Sequence, residues 1–206
     1  TKSGDQLNIR MAPDGSGGAI IVWEDYRRGE PDIYAQKING IGDRLWGDEY
    51  GVAVCTASYG QKNPVIVSDG SGGAIIAWED YRNVTTAADI YAQRINDVGI
   101  PEWNANGVCV SSGPIINMIN PDIVSDGYGG AVIVWQESDG SNWWIRAQRI
   151  GFNGNLLWVG AQTLSQGVKP KEFPKIINDG TGYVIVTWQD YASGTYGIYA
   201  YRMYIN

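Results

Sequence analysis

From Ala19 the chain runs Ala-Ile-Ile-Val-Trp, apolar at every position, so Ala19, Ile21 and Trp23 fall on one face of an extended strand and Ile20 and Val22 on the other. A strand apolar on both faces must be covered on both sides. Polar punctuation frames it: Asp14-Gly15-Ser16-Gly17-Gly18 before, and Glu24-Asp25 after. Asp-Gly and Gly-Gly favour the turns whose twist matches paired antiparallel strands, which predicts a hairpin into this strand.

The same stretch recurs. "PDGSGGAIIVWEDYR" from Pro13 is nearly repeated as "SDGSGGAIIAWEDYR" from Ser68, with looser copies from Ser125 and Asn178. Its tryptophans, Trp23, Trp78, Trp135 and Trp188, lie 55, 57 and 53 residues apart, a period belonging to propellers and related arrays. Each unit divides into four strand-like pieces, in the second unit "PVIVSD", "AIIAWED", "DIYAQRI" and a segment from Trp103 to "GVCV". The expected fold is therefore an all-β propeller of four-stranded antiparallel blades stacked face to face, one domain over residues 1–206. The blades fall near 7–57, 62–112, 117–166 and 172–206, the last without its outer strand unless Thr1 to Gln6 supply one. A two-layer sandwich would leave one face of each sheet polar, which these strands do not.

Composition adds partners to exclude. The 28 Gly, 9 Trp and 13 Tyr suit short strands and tight turns, and there is no His. A net charge of −7 offers no basic stripe to displace the counterions of a nucleic acid. No apolar run approaches the roughly 20 residues of a membrane-spanning helix, and no signal-peptide pattern opens the chain. Cys55 and Cys109 sit in the related stretches "GVAVC" and "GVCV" and are expected to be small strand residues, a disulfide between units being the alternative.

The pattern P-x-I-V-x-D-G-x-G-G-A-I-V-x-W-x-D-x-R, then D-I-Y-A-Q-R-I, then G-x-x-x-W, resembles the propeller-type repeats of large secreted or surface-attached bacterial proteins. Units one and two match best; unit three departs at Gln136-Glu137-Ser138 and Trp144-Ile145-Arg146, and unit four at Tyr183, Ala192 and Tyr201. The resemblance implies a secreted or cell-surface location and a scaffold or binding role. Two closures satisfy the unit count: a four-bladed ring within one chain, or a homodimer completing an eight-bladed ring.

Loops joining strands one to two repeat as Asp-Gly turns, whereas those joining two to three diverge as "RRGEPD", "RNVTTAAD", "SDGSNWW" and "ASGTYG". Divergent loops on a rigid scaffold are where binding is expected. Within them Trp143, Trp144 and Tyr196 are aromatics without counterparts in the other units, and Asp139, Arg27 and Arg28 are their polar companions. Arg27 and Arg82 also fit a repeated ion pair with Asp25 and Asp80. Asp14, Asp69, Asp126 and Asp179 are weak calcium candidates, because calcium needs six to eight converging oxygens and each Asp heads its own turn. No other cofactor is implied.

The acidic residues mostly recur with the repeat, as structural groups do, and glycoside cleavage needs two placed carboxylates. The expectation is accordingly a non-catalytic module contacting another protein, with a carbohydrate-binding propeller as the alternative and a protein or glycan as partner.

Overall fold

The computed structural model describes residues 4–84, 87–111 and 117–205, and it is all β. The first sheet contains β1 (Gln6–Pro13), β2 (Ala19–Arg28), β3 (Glu30–Ile38) and β4 (Val52–Cys55). The second contains β5 (Gln61–Ser68), β6 (Ala74–Val84), β7 (Ala87–Ile95) and β8 (Val108–Ser111). The third contains β9 (Asn117–Ser125), β10 (Ala131–Ser138), β11 (Trp143–Ile150) and β12 (Gln162–Gly167). The fourth has three strands, β13 (Lys171–Asn178), β14 (Tyr183–Asp190) and β15 (Gly197–Tyr204). Every pairing is antiparallel between neighbours in sequence, so each sheet is a blade. No helix among the described residues is long and apolar enough to cross a membrane.

Local chemistry explains the blades. The Asp69 carboxylate accepts the N–H groups of Ser71 (2.8 Å) and Gly73 (2.9 Å), closing the β5–β6 turn. Gly73 is obligatory there, because a Cβ on it would lie 2.2 Å from the Ile95 carbonyl. The amide of Gln36 satisfies four backbone groups at once, donating to the Trp46 and Asp48 carbonyls and accepting the N–H groups of Lys37 and Trp46. It thereby ties strand three to the outer segment, as a buried polar group must be paired.

Burial occurs between blades. Ile20, Val22 and Ile33 of the first sheet meet Ala74, Ile76 and Trp78 of the second. Ile75, Ala77 and Ile90 meet Ile133 and Trp135, and Val132, Val134 and Ile145 meet Val184, Val186 and Trp188. Trp46 and Trp103 in the outer segments donate their indole N–H to the carbonyls of Asp97 and Phe152, each in the next blade. Cys55 is buried and Cys109 half-buried, both free thiols, and burial pushes Cys55 up to about 12.

Among the described residues the ring does not close. β1, β5, β9 and β13 touch in succession around the axis, but no comparable packing joins the first blade to the fourth. Trp23, on the outer face of the first blade, is half-buried where Trp78 and Trp135 are fully buried. Residues 5 and 6 do not complete the fourth blade either: Gln6 pairs with Asp25 in the first, and Tyr26 donates its N–H to the Asp5 carbonyl. The molecule is an open arc of blades.

Candidate functional site

Each innermost strand carries a bulge at the same register, where Asn8, Asn63, Asn120 and Phe173 adopt φ of 53°, 51°, 53° and 53°. Asn adopts this left-handed conformation at lower cost than Phe. The last three bulges are each gripped from the preceding blade. The N–H of Asn63 donates to Glu24 (2.6 Å), that of Asn120 to Glu79 (2.8 Å), and that of Phe173 to Gln136 (3.0 Å). Burial raises Glu79 above the ordinary carboxylate range, opposed by the hydrogen bond from the Asn120 N–H.

The bulges turn the following side chains towards the axis, where the four innermost strands line one cavity of about 200 Å³. Asn63, Asn120 and Phe173 lie on its wall with Arg10, Asp122 and Lys175. The last three stand at equivalent positions, with Val65 in the second blade, so the blades differ in charge where they converge. Asp122 accepts the N–H of Ile176 (3.0 Å) and lies 3.8 Å from the Lys175 ammonium. Arg10 donates to its neighbouring Ile9 carbonyl. Phe173 is 52% exposed, an aromatic face held in a costly backbone conformation and left open to solvent. Strain of this kind persists where the surrounding structure holds it, and it concentrates at binding sites.

The residues expected to bind from sequence are dispersed. Trp143 and Trp144 are not loop residues: they open β11, half-buried and paired with Ser138 and Glu137, because the Asp139 turn is tight. Asp139 makes that turn by accepting the N–H groups of Ser141 (2.8 Å) and Asn142 (2.7 Å), which hold its carboxyl below the ordinary range. Tyr196 is an exposed loop residue whose hydroxyl donates to Glu172 (2.7 Å) and whose ring meets Tyr191 edge-on. Arg27 is occupied: its guanidinium pairs with Asp25, donates to the Tyr50 carbonyl (3.0 Å) and lies 4.0 Å over the Tyr34 ring. Arg28 is exposed and 3.8 Å from Asp32. None of these six side chains lines the axial cavity.

The aspartates of the Asp-Gly turns each hold a cation from strand three of their own blade. Lys37 lies 3.6 Å from Asp14, Arg94 2.7 Å from Asp69, Arg149 2.9 Å from Asp126 and Arg202 2.7 Å from Asp179. The described residues contain no group of three or more acidic, Cys or His side chains placed to hold a metal ion.

Asp32 is, with Glu79, an acid whose burial outweighs its partners. Burial, only partly offset by Arg28, pushes its carboxyl up to about 6, and one of its oxygens has no hydrogen bond. An acid raised in the folded state penalises folding once it ionises, fully above pH 6 and not at all below the unfolded value. Asp32→Asn is therefore expected to stabilise the protein at pH 7.5 by on the order of 1 kcal/mol, after allowance for screening, and to be neutral at pH 3.5. Urea titrations at the two pH values check this.

No family model matches the chain, and no characterised protein sequence does. Solved structures do match in fold. The endo-arabinase of Bacteroides thetaiotaomicron aligns with 100% of this chain and 78% of its own, at 16% identity and a TM-score of 0.54. The Penicillium chrysogenum alpha-L-arabinanase covers 98% of this chain and 64% of its own, at 11% identity and a TM-score of 0.60. For the Bombyx mori beta-fructofuranosidase the values are 98%, 47%, 14% and 0.53. The chain thus spans about half to four fifths of these structures, and the likeness establishes the propeller fold. It also corrects the functional expectation. Recurring carboxylates and the resemblance to surface-protein repeats point to a non-catalytic protein-contact module, whereas the propellers the chain matches are mostly glycoside hydrolases.

Proposed function

We propose that this chain recognises carbohydrate, and that its sugar site is the axial cavity. The observation that carries the reading is Phe173, an exposed aromatic in a left-handed bulge where the sibling blades use Asn, on the wall of a polar cavity. A sugar presents an apolar ring face and a rim of hydroxyls that both donate and accept. The Phe173 ring offers the first a stacking surface; Asp122, Asn63, Asn120, Arg10 and Lys175 offer the second acceptors and donors. A volume of about 200 Å³ suits roughly one sugar unit. The sugars named for the similar propellers make arabino-oligosaccharides and fructofuranosides the first probes.

Calorimetric titration of these sugars, with reducing-end release followed in the same samples, tests the proposal. Saturable binding is expected, and any turnover would appear as released reducing ends. Phe173→Asn is expected to weaken binding at least tenfold while raising stability by roughly 1 kcal/mol, because Asn relieves the left-handed strain. A loss of binding together with a gain of stability separates lost stacking from misfolding. Unchanged affinity in Phe173→Asn, or no binding of either sugar class, would remove the axial site.

A further inference from the structure

The three interfaces between blades are built from the same contacts, and each contact has one half on the leading blade and the other on the following blade. At the two ends of the arc the halves are left over. Gln189 occupies in the fourth blade the position from which Glu24, Glu79 and Gln136 grip the next bulge. Asn8 in the first blade holds the bulge that such a side chain grips.

The basic residue of strand three behaves likewise. Lys37 donates to the Gly72 carbonyl of the next blade (2.9 Å), Arg149 donates to the Ile205 carbonyl, and Arg94 lies 4.0 Å over the Phe152 ring. Their counterpart Arg202 meets no further blade among the described residues, and its side chain is 51% exposed. On the first blade, Gly17 occupies the position of Gly72.

The apolar halves are left over too. Ile198 is 75% exposed, while its counterparts Ile33, Ile90 and Ile145 are 0% exposed inside the arc. Ile177, farther along the same face of the sheet, is 60% exposed. On the first blade Ile9 is 64% exposed, next to a groove of about 590 Å³ over Ile21 and Trp23. Large exposed apolar side chains on a sheet face whose counterparts are buried mark an interaction site.

We propose that the free face of the fourth blade docks head to tail on the free face of the first blade of a second copy of this chain. The occupant is a second copy because the missing half of each contact is present on the chain itself: Gln189 faces an Asn8 bulge, Arg202 a Gly17 carbonyl, and Ile198 the groove over Trp23. This goes beyond the carbohydrate reading and does not depend on it.

Light scattering on the full chain tests it. The unmodified protein is expected at or above twice 22.5 kDa. Ile9→Glu blocks the first-blade face and Ile198→Glu the fourth-blade face, both at exposed positions that leave the blade cores intact. Each variant alone is expected at the mass of one chain, with association weakened at least tenfold. Mixed in equal amounts they retain one intact contact between them and are expected to form a dimer. A monomeric unmodified protein at its highest soluble concentration would overturn the proposal and point to a blade from another source. Failure of the mixture to pair would overturn it as well, by showing that any association is not head to tail.

Discussion

Trp78→Ala is expected to lower stability by about 4 kcal/mol, while Trp23→Ala, the same change at the same place in the repeat, should lower it by only about 1–2 kcal/mol. Trp78 is fully buried among Ile20, Val22, Ile76 and Ile95, and its indole N–H donates to Asp80 at 2.7 Å. Truncation leaves a cavity between two packed sheets and an Asp80 that has lost a partner. Trp23 makes the matching bond to Asp25 at 2.9 Å, but its face lies at the open end of the arc, half-buried. Chemical denaturation of the two variants at low protein concentration reads the difference. Raising the concentration should narrow it, because docking of a second copy would bury Trp23 and add its stability by mass action.

The second large effect is electrostatic. Asp69→Ala is expected to cost about 3–4 kcal/mol, since it leaves Arg94 buried without its two-pronged partner and opens the β5–β6 turn. Both side chains are nearly inaccessible, and the Arg94 Nε and Nη2 atoms sit 2.9 and 2.7 Å from the same carboxylate oxygen. Asp179→Ala removes the matching group from the fourth blade, where Arg202 is half-exposed and water can take over the lost contacts. Its cost should be much smaller. Equal costs at the two positions would mean that the fourth blade is as enclosed as the second, contrary to the open arc.

Much of the blade was legible because its causes are local. The Asp-Gly turns declare their hairpins, the two-faced strand declares that both sides need cover, and Gln36 and Asp25 act within their own blade. The recurring acidic residues are expected to be structural, and the hydrogen bonds of Asp14, Asp69, Asp126 and Asp179 are those of their turns.

The residues of the proposed sugar site were less legible. Trp143 and Trp144 stood out for lacking counterparts, but the distinction between loop and strand turned on how few residues the Asp139 turn needs. Arg10, Asp122, Lys175 and Phe173 did carry a signal, a change of residue type at fixed offsets from each Asp-Gly turn. That signal lay in the innermost strands, where repetition made every difference look like drift.

What the sequence by itself determined is the repeating unit: its hairpins, its two apolar faces, and hence a stack of blades. Those follow from interactions between residues near one another in the chain. Only the tertiary structure decided that four positions more than fifty residues apart share one cavity, and that the stack stops short of a ring. Both depend on the angle between successive blades, which is set by how side chains of different sheets interdigitate and is written in no single unit.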